Sequence, residues 1–248
     1  MALTQRQEEI LTYLKKNRFS KVKELAKKMY VSDATIRRDL QEMSKLGLLE
    51  RNHGGAVILQ NSDEVSIYVR MTSNLKSKEE VAVLASSTQI PYRTIFIDNS
   101  STAYSWAIHS NLKHKTVFTN SIVLANELSK SEEINIILLG GSLSYNSNSL
   151  TGSITNKLIP NFHFDLFVCS CTCFSLDGVY ESSIDQSTIK QIVKTNSDKA
   201  ILLVDKTKLN KKSTYKTYEP SEFDYIYTNA SDEQILSYKE IGLNIYNK

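Results

Sequence analysis

The stretch Ser32-Asp33-Ala34-Thr35-Ile36-Arg37-Arg38-Asp39-Leu40 decides how the first part of the chain folds. Ser32 is a residue type that favours the N-cap of a helix. Ile36, Leu40 and Met43 then recur at helical spacing on one side. Gly47 supplies the left-handed residue that commonly ends a helix. The pattern predicts an amphipathic helix that starts after Ser32 and stops before Gly47.

Two further helices are predicted upstream. Thr4 and Gln7 have the spacing of a capping box, in which each side chain satisfies the other residue's backbone amide. Ser20 is expected to cap a second, short helix, and Tyr30 and Val31 form the turn that follows it. Two helices joined by so tight a turn indicate a helix-turn-helix, an element that places its second helix in the major groove of DNA.

The outer face of this second helix carries the candidate DNA contacts. At about 100° per residue, Arg38 lies roughly 200° around the axis from Ile36 and points away from the core. An arginine there can hold a phosphate or read guanine with its guanidinium donors; the alternative is an ordinary solvated charge. The helix residues expected to contact DNA are Ser32, Ala34, Thr35, Arg37, Arg38, Gln41 and Lys45.

A β-hairpin is predicted directly after the helix. Residues 48–51 and 56–59 have the composition of short strands, and Asn52-His53-Gly54-Gly55 between them is a turn sequence. A hairpin beside the recognition helix makes a winged helix. Arg51 and His53 are then expected to contact the DNA backbone or minor groove, the alternative for His53 being a residue that stabilises the turn.

The basic charge of the chain is concentrated in this segment. Residues 1–57 contain 12 lysines and arginines against 7 acidic residues, a net charge of +5. Residues 58–248 contain 18 against 20, a net charge of −2. A basic surplus confined to the helix-turn-helix matches the electrostatic footprint of a protein that binds phosphate backbones.

The length of 248 residues accommodates two domains. Residues 60–64 are polar and lack periodicity, and a helical pattern follows over 68–84. We predict a winged helix-turn-helix domain at 1–58, a linker at 59–76 and a larger domain at 77–248. The chain begins without a basic segment leading into an apolar one, and no apolar run approaches the roughly 18 residues of a membrane span. A cytoplasmic protein that contacts no membrane is expected.

The three cysteines suggest packing and no metal. Cys169, Cys171 and Cys173 alternate along a predicted strand, so they share one of its faces. A zinc or redox role is the alternative, but no other histidine or cysteine completes a ligand set. We expect neither a metal nor a cofactor.

From residue 94 onward, short apolar runs alternate with helical patterns, which is typical of a parallel sheet with helices on its faces. The fold class is therefore α/β, with an N-terminal winged helix-turn-helix followed by a mainly parallel α/β domain. The predicted strands are residues 94–97, 116–118, 134–139, 166–171, 200–204 and 225–227.

Small polar residues follow these strands, and the carboxyl ends of parallel strands lie along one edge where ligands bind. The loop before the helix at Ala103 offers hydroxyls and amides to an anion, Lys208 offers a countercharge, and Asp98 and Asp205 accept from sugar hydroxyls. Each feature alone is typical of an N-cap or turn; together they predict a phosphorylated polyhydroxy ligand. The site residues expected are Asp98, Asn99, Ser100, Ser101, Thr102, Thr119, Asn120, Ser121, Gly140, Gly141, Thr172, Asp205 and Lys208.

These segments occur in the order found in a known family. The chain resembles the DeoR family of bacterial sugar-responsive transcription regulators over nearly its whole length. The resemblance is carried by Val31-Ser32, Arg37-Arg38-Asp39-Leu40, Gly47-Leu48-Leu49, His53-Gly54-Gly55-Ala56, Arg70, Asn74, Lys78, the loop 98–102, Thr119-Asn120-Ser121, Leu139-Gly140-Gly141, Gly178, Lys190, Val193, Asp205 and Lys208.

The resemblance implies that the second domain is similar to ribose-phosphate isomerase, binds a phosphorylated sugar and serves for oligomerisation, as a homodimer or homotetramer. It adds Lys190 to the effector site. Such proteins usually repress a sugar uptake or catabolism operon and release the operator DNA when the sugar phosphate binds. The chain departs from the family at Thr172, where an aspartate is common, and at Gln186, where a glutamate is usual. Both changes are expected to remove a carboxylate from the pocket.

Two other functions compete with this one. A sugar-phosphate isomerase with a DNA-binding appendage would need a base on the substrate carbon. The positions expected to supply it are Thr172 and Gln186, so no enzymatic activity is predicted. A second domain that only assembles the first would bind no sugar phosphate.

Overall fold

The computed structural model describes residues 3–17, 19–45, 48–52, 54–58, 65–88 and 90–247. The chain divides into two compact units, residues 1–73 and 74–248. The predicted helix end at Gly47, the wing residue His53 and the polar segment 60–64 lie outside the described residues.

The first unit packs helices against a small sheet. Thr4 and Gln7 cap the first helix as predicted, since Thr4 N donates to Gln7 Oε1 (3.0 Å) and Gln7 N donates to Thr4 Oγ1 (3.3 Å). Ile36, Leu40 and Met43 are fully buried on the inner face of the third helix, as their spacing predicts. The elements are α1 (Gln5–Asn17), β1 (Phe19–Lys21), α2 (Val22–Lys28), α3 (Asp33–Lys45), β2 (Leu49–Asn52), β3 (Gly55–Ile58) and α4 (Ile67–Thr72).

The strand β1 corrects the expectation for Ser20. The sheet order is β1-β3-β2, all antiparallel, so the wing formed by β2 and β3 gains a third strand. Ser20 is buried within β1, and Lys21 is the N-cap of α2. Glu24 accepts hydrogen bonds from Ser20 Oγ (2.9 Å) and Lys21 N (3.1 Å). Gly55 permits the close approach, because a Cβ there would lie 2.1 Å from the Ser20 carbonyl oxygen.

The predicted linker 59–76 is partly structured. Its residues 67–72 form α4, and Val69 of this helix is buried in the core of the first unit. The helix expected over 68–84 is interrupted at Ser73 and at Asn74, which has φ +54°. A second helix, α5, then begins at Leu75.

The second unit is built on a seven-stranded parallel sheet. Two small antiparallel arrays, β7-β8 and β10-β11-β13, accompany it. The elements of this unit are α5 (Leu75–Ser86), β4 (Thr94–Ile97), α6 (Ser101–His109), β5 (Thr116–Thr119), α7 (Ile122–Leu128), β6 (Asn135–Leu138), β7 (Ser142–Ser144), β8 (Ser149–Thr151), α8 (Ser153–Leu158), β9 (Phe164–Ser170), β10 (Cys173–Ser175), β11 (Gly178–Glu181), α9 (Ile184–Thr195), β12 (Ser197–Val204), β13 (Tyr215–Tyr218), β14 (Tyr225–Thr228), α10 (Asp232–Glu240) and β15 (Ile245–Tyr246).

Two hydrophobic cores lie on opposite faces of the large sheet. Along β4, Ile95 and Ile97 belong to one core and Phe96 to the other, as the two-residue period of a strand requires. Helices α5, α6 and α7 cover the first core, and α9 and α10 cover the second. The six predicted strands are all present, as β4, β5, β6, β9, β12 and β14, and the α/β class is confirmed.

The cysteines do not share one strand, contrary to the sequence expectation. Strand β9 ends at Ser170, the chain turns through Cys171, and Cys173 opens the antiparallel strand β10. The turn is fixed because Ser170 N donates to Asp98 Oδ2 (3.2 Å) and Thr172 N donates to the Tyr180 carbonyl (2.9 Å). In the described part of the chain, no helix is long and apolar enough to cross a membrane.

Candidate functional site

The strand order reverses at one point of the large sheet. The order is β15-β14-β12-β9-β4-β5-β6, so the chain proceeds from β4 to one side and from β9 to the other. In open α/β sheets, ligands bind outside the carboxyl ends of the strands at such a switch point. Asp98 follows β4 directly, and Thr172 lies in the turn after β9.

Lys190 joins these two strand ends. Its ammonium donates to the Ser170 carbonyl (2.5 Å) and to Glu181 Oε1 (2.5 Å), and it lies 2.9 Å from Asp98 Oδ2. Burial alone would lower the pKa of Lys190, but Asp98 and Glu181 outweigh it and raise that pKa above its ordinary value. The ammonium therefore stays charged, and its three protons have three acceptors.

Lys208 approaches the same point from the loop after β12. Its Nζ donates to Ser170 Oγ (2.7 Å) and to Thr102 Oγ1 (3.3 Å), and it lies 3.5 Å from Asp205 Oδ2. Burial acts to raise the pKa of Asp205, but Lys208 and hydrogen bonds from Thr207 hold it below its ordinary value. We call Asp98, Ser100, Ser170, Glu181, Lys190 and Lys208 the switch-point cluster.

The loop after β4 turns directly into α6. Asp98 Oδ1 accepts from Ser100 N (3.0 Å) and Ser100 Oγ (2.5 Å), and Ser100 Oγ accepts from Ala103 N (3.2 Å) as the N-cap. Ser101 and Thr102, the first two residues of the helix, are buried beside it. The positive end of α6 thus lies within the switch-point cluster.

A second group of polar side chains adjoins this cluster around Ser149 of β8. Ser149 Oγ accepts from Asn99 Nδ2 (3.2 Å) and Gln186 Nε2 (3.1 Å). Asn120 Nδ2 donates to the neighbouring Leu150 carbonyl (3.2 Å). Gln186 Oε1 and Asn120 Oδ1 are buried, and neither has a hydrogen-bond partner among the described residues. Both oxygens are acceptors suited to a ligand hydroxyl.

The remaining predicted residues are occupied locally and lie outside the switch-point cluster. Thr119 Oγ1 accepts from Ser121 N (3.0 Å), and Ser121 Oγ caps α7. The Gly140 carbonyl accepts from Thr155 Oγ1 (2.7 Å). A Cβ at Gly141 would lie 2.1 Å from that same hydroxyl. These three hydrogen bonds and the close packing at Gly141 shape the loops after β5 and β6.

Glu181 places a carboxylate beside one of the two positions at which the chain departs from the family. Thr172 Oγ1 donates to Glu181 Oε2 (3.0 Å), so a carboxylate from the end of β11 lies next to residue 172. Sequence reasoning missed Glu181, although an acidic residue ending the run Gly178-Val179-Tyr180 was a visible signal. It also missed Ser149, which precedes no helix and ends no strand.

The cysteine thiols are buried or half-buried. Burial raises the pKa of Cys171 to about 12, and burial with the nearby Asp98 also raises that of Cys169. A thiol held protonated is a poor nucleophile. Among the described residues, no group of three or more His, Cys, Asp or Glu side chains is placed to hold a metal ion.

The outer face of α3 is a separate candidate site, for nucleic acid. Its predicted contact residues are open to solvent: Ser32, Ala34, Arg37, Arg38 and Gln41 are exposed and Thr35 is half-buried. Arg51 is exposed on β2, whereas the side chain of Lys45 lies outside the described residues. Ser32 Oγ accepts from Thr35 N (3.2 Å) and caps the helix as predicted.

Two polar contacts orient α3 on α1. Arg6 donates to both oxygens of the buried Asp39, through Nε (2.6 Å) and Nη2 (3.1 Å), and these bonds raise the pKa of Arg6. Glu42 accepts from Gln7 Nε2 (2.9 Å) and from Arg38 Nε (3.3 Å). The side chain of Arg38 is 83% exposed, and its ion pair with Glu42 orients it. Glu42 is in turn fixed by the hydrogen bond from Gln7 of α1.

Comparison with known proteins places both sites in recognised domains. Residues 6–62 match the family model of the DeoR-like helix-turn-helix domain. Residues 73–230 match the family model of the DeoR C terminal sensor domain.

Three curated relatives extend over nearly the whole chain. The HTH-type transcriptional regulator GolR of Listeria innocua is 30% identical over 97% of both chains. The glycerol-3-phosphate regulon repressor of Escherichia coli is 31% identical over 99% of this chain and 100% of its own. The L-fucose operon activator of Haemophilus influenzae is 30% identical over 91% of this chain and 92% of its own.

A solved structure of ribose 5-phosphate isomerase A from Methanocaldococcus jannaschii aligns with 55% of this chain and 55% of its own. The TM-score is 0.37, and the sequences are 17% identical.

Proposed function

The chain belongs to the DeoR family of transcription regulators, and from that membership we propose that it represses a sugar uptake or catabolism operon by binding operator DNA through α3 and the wing. A phosphorylated sugar bound at the switch-point cluster releases it. The observation that carries this proposal is the pairing of an open basic helix face in one unit with a closed polar site at the sheet edge of the other.

Support for the DNA contact comes from the division of α3 into two faces. Ile36 and Leu40 are fully buried, whereas Arg37 and Arg38 are exposed. Arginine is the side chain that reads guanine with two donors, and it also holds phosphates. The capped start of the helix, at Ser32, favours a phosphate oxygen.

Support for a phosphorylated ligand comes from the start of α6. A helix N-terminus binds anions through its backbone amides and its dipole, and Lys208 adds a cation that is 16% exposed. The acceptors Gln186 Oε1 and Asn120 Oδ1 suit the hydroxyls of a sugar. Because Lys190 is saturated by protein acceptors, we assign it the role of fixing the two strand ends; Lys208 is the cation that meets the ligand.

The sense of regulation is proposed from the relatives' names. The Escherichia coli relative is named a repressor, and the Haemophilus influenzae relative is named an activator. We propose repression, with a homodimer or homotetramer that presents paired α3 helices to two half-sites.

We further propose that the sensor binds its sugar without turnover. The carboxylate best placed to act as a base is Glu181, and its two oxygens accept from Lys190 and Thr172. An isomerase base must instead be free to take a proton from the substrate carbon. Steady-state conversion of a pentose or hexose phosphate, lost in Asp98→Ala, would show that the chain is an isomerase.

The DNA contact is tested with Arg38→Ala. The probe is a duplex recovered from a random-sequence pool by the wild-type chain, and binding is measured by gel shift over a series of salt concentrations. A lost guanine contact weakens binding by roughly 1–3 kcal/mol, and a lost phosphate contact lowers the salt slope by about one. Arg93→Ala, an exposed arginine of the second unit, is the matched control. Wild-type behaviour of Arg38→Ala at every salt concentration would rule out α3 as the reader.

The ligand is tested by thermal shift with a panel of sugar phosphates, with and without the selected duplex. A ligand at a hundredfold excess over its Kd stabilises the protein by about 2.7 kcal/mol. The same compound should release the duplex, and Lys208→Met should weaken both effects. If no phosphorylated sugar shifts the midpoint, the second unit is an assembly module.

A further inference from the structure

Tyr30 is an aromatic residue in a backbone position that suits glycine. It stands at the end of α2, where Val31 N donates to the Ala26 carbonyl (3.1 Å). This six-residue closure is the Schellman ending of a helix, whose penultimate residue adopts the left-handed conformation. Tyr30 accordingly has φ +54°. Most side chains are strained there, whereas glycine fits without strain and asparagine is tolerated better than tyrosine.

The fold of the first unit does not explain why tyrosine stands at this position. Its side chain is 95% exposed, so it contributes almost nothing to the core. Strained residues that the fold does not require occur disproportionately at binding sites. A binding partner outside the unit could therefore contact the exposed Tyr30 side chain.

The surroundings of Tyr30 indicate which partner. It lines a shallow cleft of about 650 Å³ together with Lys23 and Lys27 of α2 and with Ser32 and Asp33 at the start of α3. Both lysines are exposed. Tyr30 thus shares a cleft with two lysines and one aspartate at the capped start of α3, and the lysines give this lining a net positive charge.

Resting on the proposed DNA-binding function, we propose that the Tyr30 hydroxyl donates a hydrogen bond to a DNA phosphate at the edge of the groove that α3 enters. Tyrosine hydroxyls are regular donors to DNA phosphates, and such contacts fix register without reading sequence. Lys23 and Lys27 on the same cleft attract the phosphate by charge.

The test compares Tyr30→Phe and Tyr30→Asn with the wild-type chain on the selected duplex and on a duplex of shuffled sequence. Loss of a hydrogen bond to a charged group should raise the Kd about tenfold for both variants. The factor should be the same on both duplexes. It should also be the same at every salt concentration, since no charge is removed. Lys27→Met is the contrasting variant, and it should lower the salt slope by about 0.9.

Stability separates this role from a structural one. Tyr30→Asn relieves the left-handed strain, so its thermal midpoint should equal or exceed that of the wild type. His114→Asn likewise places an asparagine at an exposed residue with a left-handed backbone, φ +60°, in the second unit, and it should leave DNA affinity unchanged.

Three results would overturn the proposal: wild-type affinity of Tyr30→Phe, a loss confined to the selected duplex, or a lower midpoint for Tyr30→Asn. If the wild-type chain selects no duplex at all, the DNA-binding function itself fails. If Arg38→Ala loses affinity and Tyr30→Phe does not, the assignment of Tyr30 alone fails.

Discussion

The polar residues on the outer face of α3 are mostly exposed and make local contacts, whereas those of the switch-point cluster are mostly buried and contact residues distant in the sequence. Arg38 is exposed, and its ion pair with Glu42 is a local contact between residues four apart on one helix. Asp98 is buried, and its contact with Ser170 N joins residues 72 apart in the sequence. Lys208 reaches Thr102 across 106 residues.

This difference follows from the size of the two proposed ligands. A DNA duplex reaches a protein surface only where side chains stand open, whereas a sugar phosphate is held inside a cleft. Substitutions should therefore act differently in the two places. Changes on the α3 face should alter binding and leave stability nearly unchanged, and changes in the switch-point cluster should alter stability first.

The largest effect is expected at Lys190. Lys190→Met keeps an unbranched apolar side chain, one atom shorter, but leaves Asp98 and Glu181 as buried carboxylates without their cation. Removing one partner of a buried ion pair costs about 3–5 kcal/mol. Urea denaturation should show a loss of this size. Lys199→Met is the control, because that lysine and its partner Asp224 are more exposed. A loss below about 1 kcal/mol for Lys190→Met would mean that the cluster is not part of the core.

A smaller effect is expected at Gly55, in the wing of the first unit. The Cβ of Gly55→Ala would lie 2.1 Å from the Ser20 carbonyl oxygen, and backbone atoms cannot yield as a flexible side chain does. Overpacking of this kind costs about 1–3 kcal/mol. Gly54→Ala is the matched control, since its Cβ would meet nothing within 4 Å among the described residues. Equal stability of the two variants would contradict the close packing of β3 on β1.

The sequence predicted the α3 face more completely than the switch-point cluster. Helical spacing fixes which side of α3 is buried, and Ile36 and Arg38 lie where that rule puts them. The positions of Asp98 and Lys208 also followed, because strand ends of a parallel sheet meet at one edge. The first prediction uses the helical spacing of apolar residues, and the second uses the alternation of strands and helices along the chain.

The residues that sequence reasoning missed depend on contacts between distant segments. Glu181 enters the switch-point cluster because β11 pairs with β10 and ends beside Lys190. The acidic residue after Gly178-Val179-Tyr180 is visible in the sequence, but its spacing does not show which distant side chain it meets. Strand β1 pairs with β3, and the partners Phe19 and Val57 are 38 residues apart in the sequence. Because β1 has only three residues, its sequence shows no alternation that would identify it as a strand. Residue spacing predicts elements, but tertiary pairing decides which side chains meet.

A third prediction tests whether the first unit also depends on a polar contact across helices. Arg6→Met removes the two hydrogen bonds to Asp39 and leaves a carboxylate whose side chain is 6% exposed. Because the Arg6 side chain is itself 37% exposed, solvent screens part of the interaction. We expect a loss of about 1–2 kcal/mol in urea denaturation. The double variant Arg6→Met with Asp39→Asn should recover part of it, and no recovery would mean that Arg6 acts through packing alone.

The smallest effect is expected at Lys212, which forms a close ion pair with Asp177 on the surface of the second unit. Lys212 and a hydrogen bond from Ser175 lower the pKa of Asp177 to about 2. A lowered carboxylate pKa favours the folded state above the unfolded value, and the benefit is lost as the pH falls toward 2. Both side chains are more than half exposed, so water and salt screen the pair. In Lys212→Ala, an NMR titration should show the pKa of Asp177 moving back toward its ordinary range, while the urea midpoint at pH 7 stays that of the wild type. A clear fall in that midpoint would show that the distance between the charges, and not their burial, sets the strength of ion pairs in this unit. The exposed pair of Lys212 would then stabilise the fold as the buried pairs of Lys190 do.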